Sequence, residues 1–259
     1  VVELTDPLVE HYVRAFLDAC PQGDAVYIGR DLRESSPRIA EAVIRAVRAA
    51  GLRAIDFGAV PTPALALASL EAGSSAIMVT GSHIPADRNG LKFYVPTGEI
   101  SKADETAIMA ALERPHTDAA VPGARENDPG CAERYLARYR SAFGPQALAG
   151  LRIGVYEHSS VARDIFGQAV TALGGTPVLL ARSETFIPVD TEAVDPETRQ
   201  QLADWAASHG LDAIISTDGD GDRPMVADAT GRIVPGDVLG ALTARFLGAT
   251  ALVTPVSSN

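Results

Sequence analysis

The sequence predicts an α/β protein built as two related α/β domains. Three observations predict it. Short apolar runs of strand length alternate with longer stretches of helical periodicity. The alternation occurs twice, on either side of a loop-like segment. The length of 259 residues is also long for one core and comfortable for two.

Taken in order, "LTDPLVEHYVRAF" opens with a Thr-Asp-Pro start signal and sets Val9, Tyr12, Val13 and Phe16 on one helical stripe. "AVYIG" reads as a buried strand. In "SSPRIAEAVIRAVRAAG", Ser36 is the expected N-cap, Pro37 the first helical residue, and Ala40, Val43, Ile44 and Val47 the core face; Gly51 ends the helix. A strand "RAIDFG", a helix "PTPALALASLEAG", strands "AIMVT" and "LKFYV" and a helix near Ala103–Leu112 complete a first unit, 1–118. The Pro-, Gly- and Asp-rich run "PHTDAAVPGARENDP" is expected to be a linker. After a helix around Ala132–Phe143, the second unit, 130–250, reads strand "RIGVY", helix "VARDIFGQAVTAL", strand "TPVLL", helix "DPETRQQLADWAASHG" and strand "LDAIIST". A hairpin "PMVADATGRIV", a helix "GDVLGALTARFLGA" and a strand "ALVTPV" follow. The two halves are too dissimilar in sequence to be called a repeat.

Bulk properties narrow the function. No run is long enough in apolar residues to cross a bilayer, and "VVELTDPLVE" lacks a basic region followed by an apolar core, so no membrane association is expected and the reading is a cytoplasmic protein. Cys20 and Cys131 are too few for a disulfide framework or a thiolate metal site. A net charge of −11 argues against nucleic acid, whose phosphates demand clustered Lys and Arg. A small anion can still bind where local donors or a metal ion reverse the sign.

The strongest chemical signal is "STDGDGDRP", directly after an apolar strand. Asp218, Asp220 and Asp222 alternate with glycines that let the backbone bend and the carboxylates converge. Three such charges are costly side by side unless a cation sits among them, and all-oxygen ligation selects a hard ion, Mg²⁺ first. A solvated acidic turn is the plain alternative. A calcium-binding helix–loop–helix fails, because Arg223 and Ala229 stand where that loop needs Gly and Glu.

"VTGSHIPADRNGLKFY" offers Ser82, His83 and Lys92. Thr80 and Ile84 flank Ser82 where a triad hydrolase would have glycines. From this stretch alone Ser82 is either a turn cap or a phosphate carrier, and Lys92 either a solvated strand lysine or a group beside the reacting phosphate. A serine ending one strand and an aspartate loop ending another can meet at one sheet edge or across two sheets.

"VTGSHIPADRNGLKF" resembles the active-site serine loop of the α-D-phosphohexomutase superfamily, which includes the phosphomannomutases and phosphoglucomutases, and "TDGDGDR" resembles its metal loop. "IGRDLRESSP" and "DFGAVPTPA" are similar to two further motifs of that superfamily, in the same order. The resemblance implies that Ser82 is a phosphoserine completing a Mg²⁺ site with Asp218, Asp220 and Asp222. It places Lys92 in proton transfer, His83 and Arg223 close to the phosphoserine, and Arg30 and Asp31 in a motif supporting its loop. "PTP" is read as a rigid turn rather than a ligand contact.

The resemblance also implies a mutase that interconverts 1- and 6-phosphohexoses, of mannose or glucose, through a bisphosphorylated sugar. The partners are then a phosphorylated hexose and a sugar bisphosphate activator, with the oligomeric state open. A phosphoglucosamine mutase, or a non-catalytic metal-binding module of the same fold, is the alternative. Two local departures stand out. Ile84 replaces the usual Asn, and "YEHSSVA" replaces a glycine-rich turn, with Ser159 or Ser160 expected to cap the helix instead. Members of the superfamily have four domains and a short arginine-bearing motif ahead of "LTDP". By this resemblance these residues read as the first two domains, two related three-layer α/β domains with mixed sheets, with 251–259 beginning a third, and alone they are expected to be inactive or weak.

Overall fold

The computed structural model describes residues 4–256 and 258. Residues 1–3, in the first expected unit, and 257 and 259, in the expected start of a third, lie outside the described residues.

Helix α1 (Asp6–Ala19) starts as the sequence predicts, with the Thr5 hydroxyl accepting the Leu8 N–H and Pro7 in the first turn. Strand β1 (Ala25–Arg30), helix α2 (Ser36–Ala49), strand β2 (Arg53–Ala59), helix α3 (Thr62–Glu71) and strand β3 (Ser75–Val79) follow. Then come strands β4 (Leu91–Val95) and β5 (Gly98–Glu99), helix α4 (Lys102–Ala111) and strand β6 (Arg125–Asn127). The sheet runs β5-β4-β3-β1-β2-β6, with β3, β1, β2 and β6 parallel and β4 and β5 antiparallel. Alternation along the strands feeds two cores. Val26, Ile28, Ile77 and Val79 pack under α1, α2 and α4, while Ala25, Ala76 and Met78 pack with Leu65 of α3 on the other face.

Helix α5 (Cys131–Phe143) leads to strand β7 (Arg152–His158), helix α6 (Arg163–Ala172), strand β8 (Thr176–Arg182), helix α7 (Pro196–His209) and strand β9 (Ala213–Thr217). The hairpin β10 (Pro224–Asp228) and β11 (Ile233–Val234), then helix α8 (Gly236–Phe246), complete the described elements. This sheet runs β11-β10-β9-β7-β8, with the same parallel and antiparallel pairing as the first. Topology thus shows the duplication that the two halves hide in sequence.

Four expectations are corrected. Ser35, not Ser36, occupies the N-cap of α2; Ser36 is already helical and its hydroxyl donates to Asp31 instead. The expected linker contains β6, an exposed three-residue strand held to β2 by backbone pairing and by the Arg53–Glu126 and Arg125–Asp56 ion pairs. Ser160 caps a turn by accepting the Ala162 N–H, while α6 begins without a side-chain cap. "ALVTPV" forms no strand: it has no neighbouring strand among the described residues, and Leu252, Val253 and Val256 are exposed.

Candidate active site

Ser82 lies just beyond β3, where the chain leaves the sheet through Thr80 and Gly81. Its φ of 51° is left-handed, unusual for a residue with a side chain, and the surrounding bonds hold it there. Thr80 supplies the first: its hydroxyl accepts the Ser82 N–H at 2.8 Å and donates to Asp31 Oδ2 at 2.8 Å. Asp31, fully buried, also accepts from the Ser36 hydroxyl and from Arg33 N and Nε. Arg33 returns to the loop, with Nη1 donating to the Pro85 carbonyl and Nη2 to the carbonyls of Ser82 and Ile84. Gly81 is required here, since a Cβ would stand 2.9 Å from the Arg33 guanidinium.

The aspartates follow β9. Each offers a carboxylate oxygen within 4.8 Å of the others. Asp218 and Asp220 are fully buried, and Asp222 is at the surface. The Ser82 hydroxyl donates to Asp218 Oδ2 at 2.5 Å, across the two domains. From β4, Lys92 Nζ donates to Asp220 Oδ2 at 2.7 Å and Asp222 Oδ2 at 2.6 Å. The Thr62 hydroxyl adds a bond to Asp220 Oδ2 at 2.5 Å, and its N–H donates to the Asp220 carbonyl. The other oxygen of Asp220, Oδ1, is buried with no hydrogen-bond partner. A buried, unpartnered carboxylate oxygen among three acids is what a hard cation would satisfy, so the donor set fits a metal.

Electrostatics divides the acids. Burial, then the charge of Asp220, holds Asp218 above the usual carboxylate range. Burial would do the same to Asp220, but the charge and hydrogen bond of Lys92, with the Thr62 hydroxyl, outweigh it and hold Asp220 low. Lys92 is affected in the opposite way: burial would favour its neutral form, yet Asp220 and Asp222 hold it firmly as the ammonium.

The expected site residues do not all converge. Ser82, Lys92, Asp218, Asp220 and Asp222 meet at the domain junction, and Asp31 braces the serine loop. His83 is half-buried in that loop, its Nδ1 buried and without a partner. Arg223 meets Asp218 through its backbone, while its guanidinium lies 3.9 Å from Glu192. Arg30 sits at the end of β1, where its carbonyl accepts the Val60 N–H; the arginine of that motif that grips the loop is Arg33.

Sequence reasoning missed Arg33, Thr62 and Phe186. The signal for Arg33 was its place two residues after Asp31, where one side chain can reach a neighbouring carboxylate. Thr62 was hidden inside "PTP", which reads as a turn but presents a hydroxyl to Asp220. Phe186 lies in coil and carried no pattern, yet its ring is 4.1 Å from the Arg33 guanidinium. Among the described residues no helix is long and apolar enough to cross a membrane.

The family model described as phosphoglucomutase/phosphomannomutase, alpha/beta/alpha domain I, matches residues 1–118, and that for domain II matches 133–231. A phosphomannomutase of Sinorhizobium fredii is 46% identical over 242 residues, covering 92% of this chain and 51% of its own. A phosphomannomutase of Salmonella muenchen is 43% identical over 265 residues, covering 100% and 54%. The solved structure of a phosphoglucomutase/phosphomannomutase family protein from Burkholderia thailandensis matches with a TM-score of 0.80 at 26% identity, over 94% of this chain and 55% of that one. The chain spans about half the length of the curated relatives it matches. Ser82 falls inside the first matched region and the three aspartates inside the second, and on that footing the chain belongs to the phosphoglucomutase/phosphomannomutase family, carrying its first two α/β/α domains.

Proposed function

We propose that this chain supplies the phosphoserine and the metal site of a phosphohexomutase that interconverts hexose 1-phosphate and hexose 6-phosphate, with mannose phosphates as the first substrates to try. One observation carries the reading: the Ser82 hydroxyl of one domain donates at 2.5 Å to a carboxylate of the three-aspartate cluster of the other. A turn cap has no need of that partner, and a solvated acidic turn would not be buried.

Asp218, Asp220 and Asp222 would hold Mg²⁺, with an oxygen of Ser82 or its phosphate beside them. When bound, the ion neutralises charge on the transferring phosphoryl group. The chain's own residues provide the alignment. As Ser82 Oγ takes the phosphoryl group from a bisphosphorylated sugar, its proton leaves by way of Asp218 Oδ2, the atom it already faces, to solvent, so that Asp218 ends ionised as a metal ligand must be. The Oγ–P bond forms while the P–O bond to the sugar breaks, and the departing sugar oxygen takes a proton from the Lys92 ammonium. Donation to the next sugar is the reverse of these steps. His83 belongs to the serine loop and Arg223, held to Asp218 by its backbone, to the aspartate loop beside this exchange, and Asp31 and Arg30 belong to the motif behind the serine loop. A sugar bisphosphate would prime Ser82.

The test is phosphate on the protein. Incubation with a hexose bisphosphate and Mg²⁺ should add a single phosphate to intact protein, mapped to Ser82 and absent from Ser82→Ala. An unmodified Ser82, or phosphate retained by Ser82→Ala, defeats the proposal.

A further inference from the structure

Ser82 and Asp218 sit on different domains, so something other than either fold alone must hold the hydroxyl against the carboxylate. Behind Ser82, the Arg33 side chain is 1% exposed and spends its donors on one loop and one acid: Nε on Asp31, Nη1 on Pro85, Nη2 on Ser82 and Ile84. The face of the guanidinium plane is left to the second domain. There the Phe186 ring lies over it, with Cζ of Arg33 4.1 Å from the ring centroid. The same ring abuts the metal loop. A Cβ at Gly219 would stand 2.6 Å from the ring and 3.0 Å from the Ser82 carbonyl oxygen, the oxygen that accepts from Arg33 Nη2. The segment carrying Phe186 is itself fastened, because the Ser159 hydroxyl accepts the Ile187 N–H at 2.7 Å.

We propose that Arg33 and Phe186 form an inter-domain latch, in which Phe186 of the second domain stacks on Arg33 and so fixes the Ser82 loop against the aspartate loop. Arg33 is a positioning residue: it shapes the serine loop through three carbonyls and offers the second domain a flat cationic face. Phe186 reads that face and, through Gly219, the height of the metal loop. A desolvated guanidinium on an aromatic face is attracted more strongly than one in water, so the contact favours the closed arrangement. The inference rests on the mutase reading in taking Ser82 as the nucleophile.

Replacing Arg33 would leave Asp31 buried beside an empty space, so the test runs through Phe186. Phe186→Leu keeps apolar bulk and removes the aromatic face. Three measurements on the full chain decide: hydrogen–deuterium exchange over residues 80–90, the single-turnover rate of Ser82 phosphorylation from a hexose bisphosphate at saturating Mg²⁺, and calorimetric affinity for Mg²⁺ alone. Phe186→Leu is expected to speed exchange in the serine loop about tenfold and to slow Ser82 phosphorylation by at least about tenfold. Exchange in β1 and β3, and Mg²⁺ affinity, should stay at wild-type values. Unchanged exchange in residues 80–90 overturns the latch. So does loosening that extends through both sheets, or a parallel fall in Mg²⁺ affinity, because either would make Phe186 ordinary packing. If wild-type Ser82 accepts no phosphate, the mutase reading fails, and the exchange measurement alone still decides the latch.

Discussion

Replacing Thr62 with valine removes a single hydroxyl and keeps the branched shape. That hydroxyl donates to Asp220 Oδ2 at 2.5 Å, and the two residues are 2% and 0% exposed, so water cannot take its place. A hydrogen bond to a charged group contributes about 1.5–3 kcal/mol, and a loss of about 2 kcal/mol is the expectation here. For a chain of this length that is about 4–8 °C in melting temperature. The helix start survives, because the Thr62 N–H still donates to the Asp220 carbonyl at 2.9 Å. Metal binding should suffer as well: losing a group that orients a ligand typically costs about 10–100-fold in affinity, and Mg²⁺ titration by calorimetry reads it directly. The pH dependence has a definite sign. Against burial, Lys92 and then Thr62 hold Asp220 low, and a lowered carboxylate stabilises the fold above its unfolded pKa, a contribution lost as pH falls through the folded value. The gap between wild type and Thr62→Val should therefore be full at neutral pH and shrink below about pH 4. Thr62→Ser, which keeps the hydroxyl, should track wild type. An unchanged urea midpoint and unchanged Mg²⁺ affinity in Thr62→Val would refute the reasoning.

Two other perturbations test the electrostatics. Lys92→Met leaves Asp220 and Asp222 without the ammonium at 2.7 and 2.6 Å. Because the lysine side chain is 26% exposed, the metal-free protein should lose about 1–3 kcal/mol, less than for a fully buried pair, while the rise in melting temperature on adding Mg²⁺ should exceed that of wild type; equal rises would count against it. Burial lowers His158 from 6.5 to about 4 even though its Nε2 bonds to the Thr217 carbonyl, so folding favours the neutral ring. That contribution is present above pH 6.5 and is lost as pH falls toward 4, up to about 3 kcal/mol. Asp218, held high, titrates in the opposite sense, so the check is the difference between the urea-unfolding profiles of wild type and His158→Asn, which should grow from pH 4 to 6.5 rather than stay flat.

The elements that place the site were legible where a local pattern had a local cause. The strands β3 and β9 announce themselves as apolar runs, and the serine and aspartate loops sit where those runs end. What escaped the sequence depended on partners far along the chain. The strand β6 is three exposed residues with no alternation, formed because β2 needed a neighbour. "ALVTPV" has strand composition without a strand to pair with. Choosing Arg30 over Arg33 illustrates the same point: both flank Asp31 in sequence, and only the fold shows which guanidinium turns inward. Ser-Pro is a helix signal that makes Ser36 look like a cap, while its hydroxyl is claimed by Asp31. Local preference lost to a buried charge, as expected when the alternative is an unsatisfied carboxylate.

The duplication explains why the chemistry lies between the domains rather than within one. Sheets of the same pairing order put the serine loop after β3 and the aspartate loop after β9, at equivalent places. The following strands diverge: the second residue of β4 is Lys92, and that of β10 is Met225. The second domain thus carries three acids and no lysine at this point, while the first carries the lysine, the threonine and the serine that face them. At about 4 Å and an effective dielectric constant of about 20, each pair of carboxylates repels by about 4 kcal/mol. Oxygens within 4.8 Å of one another are in that range, so the aspartate loop cannot keep its shape without groups from outside its own domain or a bound cation. Lys92, Thr62 and Ser82 are those groups, and they belong to the other copy of the fold. The charge balance of the aspartate loop is therefore set in part from the other domain, through Lys92, Thr62 and Ser82.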